Sequence, residues 1–326
     1  MLRFALLALI ALASSATGAA RADEAADAKL LKGYLKNIRS GDLEIRADAA
    51  FRLGDYPSPE GVTALIKALN DNESQVRANA ATALYNIGLP LAKPAETALR
   101  AALNDKDGVV RVSAAETLSE LGVPPGELRP AVAVVMAAPD GRTRVEAAKA
   151  WLRLKGDKRE AITAIGGAMR DPDWKVRADA IEVLDKMDPL PAEAAGIVKE
   201  ALKDKDSVVR MRATSALSKL DKKGGAQDLL PTLLAALKDK ESAVRVNAVG
   251  GLAGIGTASP EVVPALIRCL KDRESDVRSA GANALGGLKA REAIPALKEL
   301  WKTEKDTFAR NAVRRALEDL GEKVDR

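Results

Sequence analysis

Apolar residues recur along this chain at the spacing one helical face requires, and the clearest copy runs from Leu202 to Leu220, LKDKDSVVRMRATSALSKL. With Arg210 as position zero, Val209 lies at minus one, Ala213 at plus three, Leu217 at plus seven and Leu220 at plus ten. At about 100° per residue these positions share one arc, so the stretch predicts an amphipathic helix with that arc buried. The frame recurs nine times, with zero positions at Arg46, Arg77, Arg111, Arg144, Arg177, Arg210, Arg245, Arg278 and Arg310. Spacings of 31 to 35 residues predict a solenoid, whose repeats bury their apolar faces by stacking.

Each repeat also carries a preceding apolar segment, so a helix pair joined by a tight turn is expected. The first helices are predicted at Ala28–Ile38, Pro59–Leu69, Pro94–Leu103, Glu127–Met136, Arg159–Met169, Ala192–Leu202, Gln227–Leu237, Pro260–Leu270 and Glu292–Trp301. The second helices start near an acid before the arginine and end about eleven residues past it, with Gly88, Gly122, Gly256 and Gly321 as C-terminal caps. Pro130, Pro231, Pro264 and Pro295 lie in or at the start of first helices and are expected to bend them.

The arginine falls inside the buried arc, where a guanidinium is costly without a partner. Four residues before it stands an acid in all nine copies: Asp42, Glu73, Asp107, Asp140, Asp173, Asp206, Glu241, Glu274 and Asp306. This acid is expected to pair with the arginine and to cap the helix. Six before it, Asp71, Asp105, Asp171, Asp204, Asp239 and Asp272 supply a second acceptor in six copies. With Arg77, Arg111, Arg177, Arg210, Arg245 and Arg278 these acids are expected to form a structural ladder along the stack, not a catalytic or phosphate-binding array.

The stretches DNESQVRANAATALYNIG at 71–88, DKDGVVRVSAAETLSELG at 105–122 and DKESAVRVNAVGGLAGIG at 239–256 resemble the HEAT-repeat family, in the short form found in phycobilisome lyases and many bacterial repeat proteins. The resemblance covers essentially all of the chain after its first 22 residues. It implies an all-α fold, a right-handed α-solenoid of about nine antiparallel helix pairs with the second helices on the concave side. Repeat four departs from the pattern with Ala138 where the earlier acid belongs and Thr143 for valine. Repeats one and nine depart as end caps do, with Ser40 and Phe51 in the first and Ala309 and Val313 in the last.

Composition and the N-terminus narrow the function. MLRFALLALIALASSATGAARA has a basic start, an apolar run too short to span a bilayer and a small-residue cleavage site, so residues 1–22 read as a removed signal peptide. Residues 23–326 then form one solenoid domain, exported to a periplasm or secreted. Without Arg3 and Arg21, 49 basic residues face 46 acidic ones, a formal charge of +3, and with 3% aromatic residues this argues against nucleic acid. The chain has no histidine, which removes histidine bases and His-containing zinc sites. Cys269 is its single cysteine and occupies a small-residue packing position. No catalytic constellation, metal site or cofactor is expected; Glu116, Glu146 and Glu182 offer acids that nothing brings together.

Positions plus two, plus five and plus nine oppose the buried arc and are expected to line the concave groove. In repeats seven and eight they read Asn247, Gly250, Gly254, Ala280, Asn283 and Gly287, beside Gly251 and Gly286. Glycine inside a helix costs about 1 kcal/mol relative to alanine. The cluster is therefore a candidate surface for close approach of a partner backbone, and tight packing between second helices is the competing explanation. Phe51, Tyr56 and Tyr85 are a second candidate contact, or a cover for the open end of the stack. Trp151 is expected in the core, and Trp174 and Trp301 between repeats. The function expected is a monomeric, non-enzymatic scaffold for a protein or peptide. A lyase-like or other cofactor- or small-ligand-handling protein is the alternative, and a HEAT-like nucleic-acid binder is less favoured.

Overall fold

A computed structural model describes residues 26–218 and 229–323. The signal peptide expected at 1–22, the end of the sixth second helix and the start of the seventh first helix lie outside the described residues. Among these residues the regular structure is α-helix with short 3-10 turns, and no strand occurs. The first helices are α1 (26–37), α3 (Pro59–Ala68), α5 (Glu96–Ala102), α7 (Pro125–Val135), α9 (Lys158–Ala168), α11 (Ala195–Ala201), α13 (Leu230–Ala236), α15 (Val262–Cys269) and α17 (Ile294–Thr303). The second helices are α2 (Leu43–Arg52), α4 (Ser74–Ile87), α6 (Gly108–Glu120), α8 (Gly141–Arg153), α10 (Trp174–Asp185), α12 (Ser207–Ser218), α14 (Ser242–Ile255), α16 (Ser275–Gly287) and α18 (Thr307–Asp319). The chain groups into two compact units, one ending at Ala138 together with Lys149–Asp157, the other Pro139–Ala148 together with the chain from Lys158 onward.

Every second helix begins one residue after the acid at minus four, because that acid is its N-cap. Asp42, Asp107, Asp173 and Asp306 accept hydrogen bonds from first-turn N–H groups of α2, α6, α10 and α18. Asp140 and Asp206 accept from Thr143 and Val208 in the same way. Glu73, Glu241 and Glu274 make no such bond, since an extra methylene carries the carboxylate past the N–H groups.

At the other end, in repeats two, three, four, seven, eight and nine, the residue eleven past the arginine takes the left-handed conformation that ends a helix. Gly88, Gly122, Gly256 and Gly321 do so with φ of 63°, 87°, 73° and 86°. Lys155 and Lys289 hold the same position in repeats four and eight, at φ 55° and 54°.

The predicted arc is buried: Val76, Ala80, Ala81 and Leu84 in α4, and Val244, Ala248, Val249 and Leu252 in α14, are typical. Full burial of one such leucine stabilises by about 1.5–3 kcal/mol before ordering costs. Ile45, at the minus-one position of repeat one, is instead exposed. Trp151 is buried, donates from Nε1 to Asp157 O at 3.0 Å and packs on Gly156. Trp174 does not pack between repeats; as the first residue of α10 it is exposed, with the Lys175 ammonium 5.9 Å from its ring. Of the four prolines only Pro130 lies beyond the first turn of its helix; Pro231, Pro264 and Pro295 occupy first-turn positions, where no intrahelical N–H bond is required.

Candidate functional site

The arginine ladder is present, but its rungs run between repeats. Arg77 donates from Nε and Nη2 to the two carboxylate oxygens of Asp105, at 2.7 and 2.8 Å, and Asp105 belongs to the next repeat. Arg177 pairs in the same bidentate way with Asp204, Arg210 with Asp239 and Arg245 with Asp272, all within 2.7–3.0 Å. Arg46 meets Asp71 at 3.0 and 3.3 Å. The expected pairing with the acid at minus four is therefore corrected. Where that acid is aspartate it caps the helix, and where it is Glu73, Glu241 or Glu274 the guanidinium still turns its free edge toward the following repeat.

The remaining edge of each arginine is used at home. Nη1 of Arg77 donates to Asp71 O and Asn72 O, and Arg177, Arg210 and Arg245 repeat this on their own turns. The ladder acids accept in turn from the backbone N–H two residues on, as Asp105 does from Asp107 at 2.8 Å and Asp171 from Asp173 at 2.9 Å. Burial works to raise the carboxyl pKa of Asp105, Asp239 and Asp272, yet their arginines and these N–H bonds bring it below the ordinary range. Such pairs position repeats; their charges are already satisfied and are not available for chemistry.

Glu304 is the ladder acid that the aspartate pattern passed over. It lies six before Arg310 and takes Arg278 in a bidentate bond at 2.6 and 2.9 Å, with its side chain 2% exposed. The Arg278 bond, with N–H bonds from Lys305 and Asp306, lowers its pKa to about 2. Arg310, in the last repeat, stacks on the Trp301 ring at 3.8 Å and donates to Trp301 O. Arg111 departs because the position it would address holds Ala138. Arg144 departs as well: Asp171 stands in the next repeat, but Arg144 donates from Nη2 to Gly167 O at 3.0 Å and from Nη1 to Pro139 O at 2.8 Å.

The second-helix face of repeats seven and eight divides into two kinds of glycine. Gly251 and Gly286 are buried; a Cβ on Gly251 would meet Leu233 at 2.8 Å, and one on Gly286 would meet the Ala316 backbone at 2.8 Å. Packing accounts for both. Gly250, Gly254 and Gly287 are exposed, and a Cβ on any of them would meet nothing within 4 Å. Asn283 is exposed beside them, whereas Asn247 donates from Nδ2 to Met211 O at 3.0 Å. Asn79 and Arg212 make the same bond to the preceding second helix, so a polar side chain at plus two can clip adjacent repeats.

Phe51 and Tyr85 are exposed at 42% and 44%. Tyr56 is half-buried against Tyr34, ring centroids 5.6 Å apart. Glu116 is paired with Arg153, and Glu182 with Lys186 and Arg212. Among the described residues no group of three or more Cys, Asp or Glu side chains is placed to hold a metal ion. Cys269 is buried, its thiol donates to Ala265 O, and burial pushes its pKa up to about 11. No described helix is long and apolar enough to cross a membrane.

Stacked helix pairs joined by a periodic ladder define an α-solenoid. The family model for HEAT repeats matches residues 28–95, 162–232 and 230–318, and the chain belongs to that family. Its fold is similar to an engineered protein, with 23% identity, a TM-score of 0.53 and coverage of 89% of this chain and 88% of that one. YibA of Escherichia coli is similar at 18% identity and TM-score 0.56, covering 87% and 99%. Kap121p is similar at 15% identity and TM-score 0.50, and there the chain spans only 37% of the larger protein. No curated protein matches the sequence.

Proposed function

We propose that this chain is an exported, non-enzymatic scaffold that receives a protein or extended peptide on the second-helix face of repeats seven and eight. The observation that carries the reading is the set Gly250, Gly254 and Gly287, three exposed helical glycines with open space where side chains would stand. Each weakens its helix without relieving a clash, and each lets a partner backbone approach the helix surface closely. Asn283 supplies a free-standing amide on the same face. Repeat solenoids present extended binding surfaces of this kind. A rigid face lowers the ordering cost of association.

The reading of residues 1–22 as a removed signal peptide supports a partner in the cell envelope or outside it. Affinity capture from a cell-envelope extract, with the wild type beside a Gly250→Arg, Gly287→Arg variant, tests the reading. A specific protein retained by the wild type and lost by the variant is expected, with both baits showing the same helical content. Equal capture by both overturns the site, and capture of no protein by a folded bait overturns the scaffold.

A further inference from the structure

The missing rung at Arg111 has the makings of a receptor for a carboxylate. Among the paired rungs the guanidinium edge made of Nε and Nη2 is closed by an acid from the next repeat. At Arg111 the corresponding residue is Ala138, and Nε is buried with no hydrogen-bond partner. Nη1 still donates to Asp105 O, which holds the guanidinium in the ladder orientation. An unsatisfied cationic donor of this kind is costly, and a carboxylate in bidentate contact is the group that relieves it.

The surroundings of Arg111 differ from those of the paired arginines in a consistent way. Depressions between consecutive first helices show the difference. In the one between α1 and α3 the lining includes Asp71, and in the one between α13 and α15 it includes Asp272, so each contains the ladder acid. Between α5 and α7 the lining contains no ladder acid and includes Arg111 itself, in a solvent-open depression of about 500 Å³. Its walls are Leu103, Pro130, Ala131 and Val134, and Val134 is 68% exposed, the side-chain surface an aliphatic group would cover. Asn104 adds an amide. The one carboxylate in the lining, Glu127, is held by Arg100 at 3.0 Å, so the two cancel and Arg111 sets the sign of the site. Asp105 and Asp107 on the same turn are committed to Arg77 and to the cap of α6.

We infer that this depression binds the C-terminal residue of a peptide or protein, its carboxylate on Arg111 and an aliphatic side chain on Val134 and Pro130. A chain terminus places both groups on one residue, and an open depression suits the end of a polymer better than a small molecule that needs enclosure. The site combines Arg111 of α6 with residues of α7 and the end of α5, in the other compact unit, and does not depend on the glycine-lined face.

The test is fluorescence anisotropy with a labelled Gly-Ser-Gly-Ser-Leu peptide as the free acid, as the C-terminal amide, and as an amidated version with Glu before Leu. The purified protein should prefer the free acid by at least about ten-fold, the worth of one charge-assisted pair. Arg111→Gln should abolish the preference. Ala138→Asp, which restores the internal acid, should abolish it while raising Tm, so loss of binding there cannot be misfolding. Equal binding of acid and amide overturns the proposal, as does unchanged preference in Ala138→Asp. Preference for the amidated Glu peptide replaces the terminus with an acidic side chain and overturns the assignment made here.

Discussion

At the scale of single residues, two acids in one turn have separate tasks, and the difference is measurable. Asp105→Ala strands the buried Arg77 guanidinium and is expected to cost about 3–5 kcal/mol. Asp107→Ala removes only an N-cap, at about 0.5–2 kcal/mol. Chemical denaturation of the two variants decides, and equal losses would return the ladder to the acid at minus four. Glu304 adds a pH signature. Its pKa falls from 4.5 to about 2 on folding, so its stabilisation is complete above the unfolded value and drains away as pH falls from about 4.5 through 2. Glu304→Gln should be less stable than wild type at pH 7 and lose less on acidification through that window. A variant whose acid profile parallels the wild type would show that another group titrates there.

How much of this was legible in the sequence follows from the geometry each feature needs. The arginines and both sets of acids stand in the periodic pattern, and all nine helix starts follow from it. Which acid meets which arginine depends on the offset between stacked repeats, some 25 to 29 residues along the chain, and a single repeat holds no record of that offset. Glu304 was hidden only because the pattern was read as aspartate; counting either acid at minus six reveals it. The clip from Asn247 to Met211 O needs the interhelix distance and leaves no trace beyond a polar residue at plus two.

At the scale of the element, each helix carries its own start and stop signals, and the departures identify where stability can be gained. In six repeats the residue eleven past the arginine enters the left-handed region as the chain leaves the helix. Glycine does this freely, whereas the Cβ of Lys155 crowds its own backbone at φ 55°. Lys155→Gly is therefore expected to stabilise the protein by on the order of 1 kcal/mol, against the usual penalty of introducing glycine. A fall in Tm would show that the lysine side chain contributes more than the backbone loses. The glycines of α14 and α16 obey the opposite logic, since both helices are regular through them. Sequence could mark these glycines as a cluster, but only the packing separates Gly251 and Gly286, pressed on neighbours, from Gly250, Gly254 and Gly287, which face open space.

At the scale of the molecule, a stack of repeats draws its stability from each repeat and from each interface, so a change at an open face should add without disturbing the rest. Gly250→Ala with Gly254→Ala fills no occupied space and should raise stability by about 1–2 kcal/mol. Gly286→Ala pushes a methyl into the Ala316 backbone and should lower it by about 1–3 kcal/mol. The pair of outcomes separates glycine kept for packing from glycine kept for a partner. If the double alanine variant is more stable and retains whatever protein the wild type captures equally well, the exposed glycines serve no close approach and the proposed face is wrong. If it is more stable and captures less, the chain gives up folding free energy at that face in return for contact, and the backbone of the partner must come within a methyl group of α14.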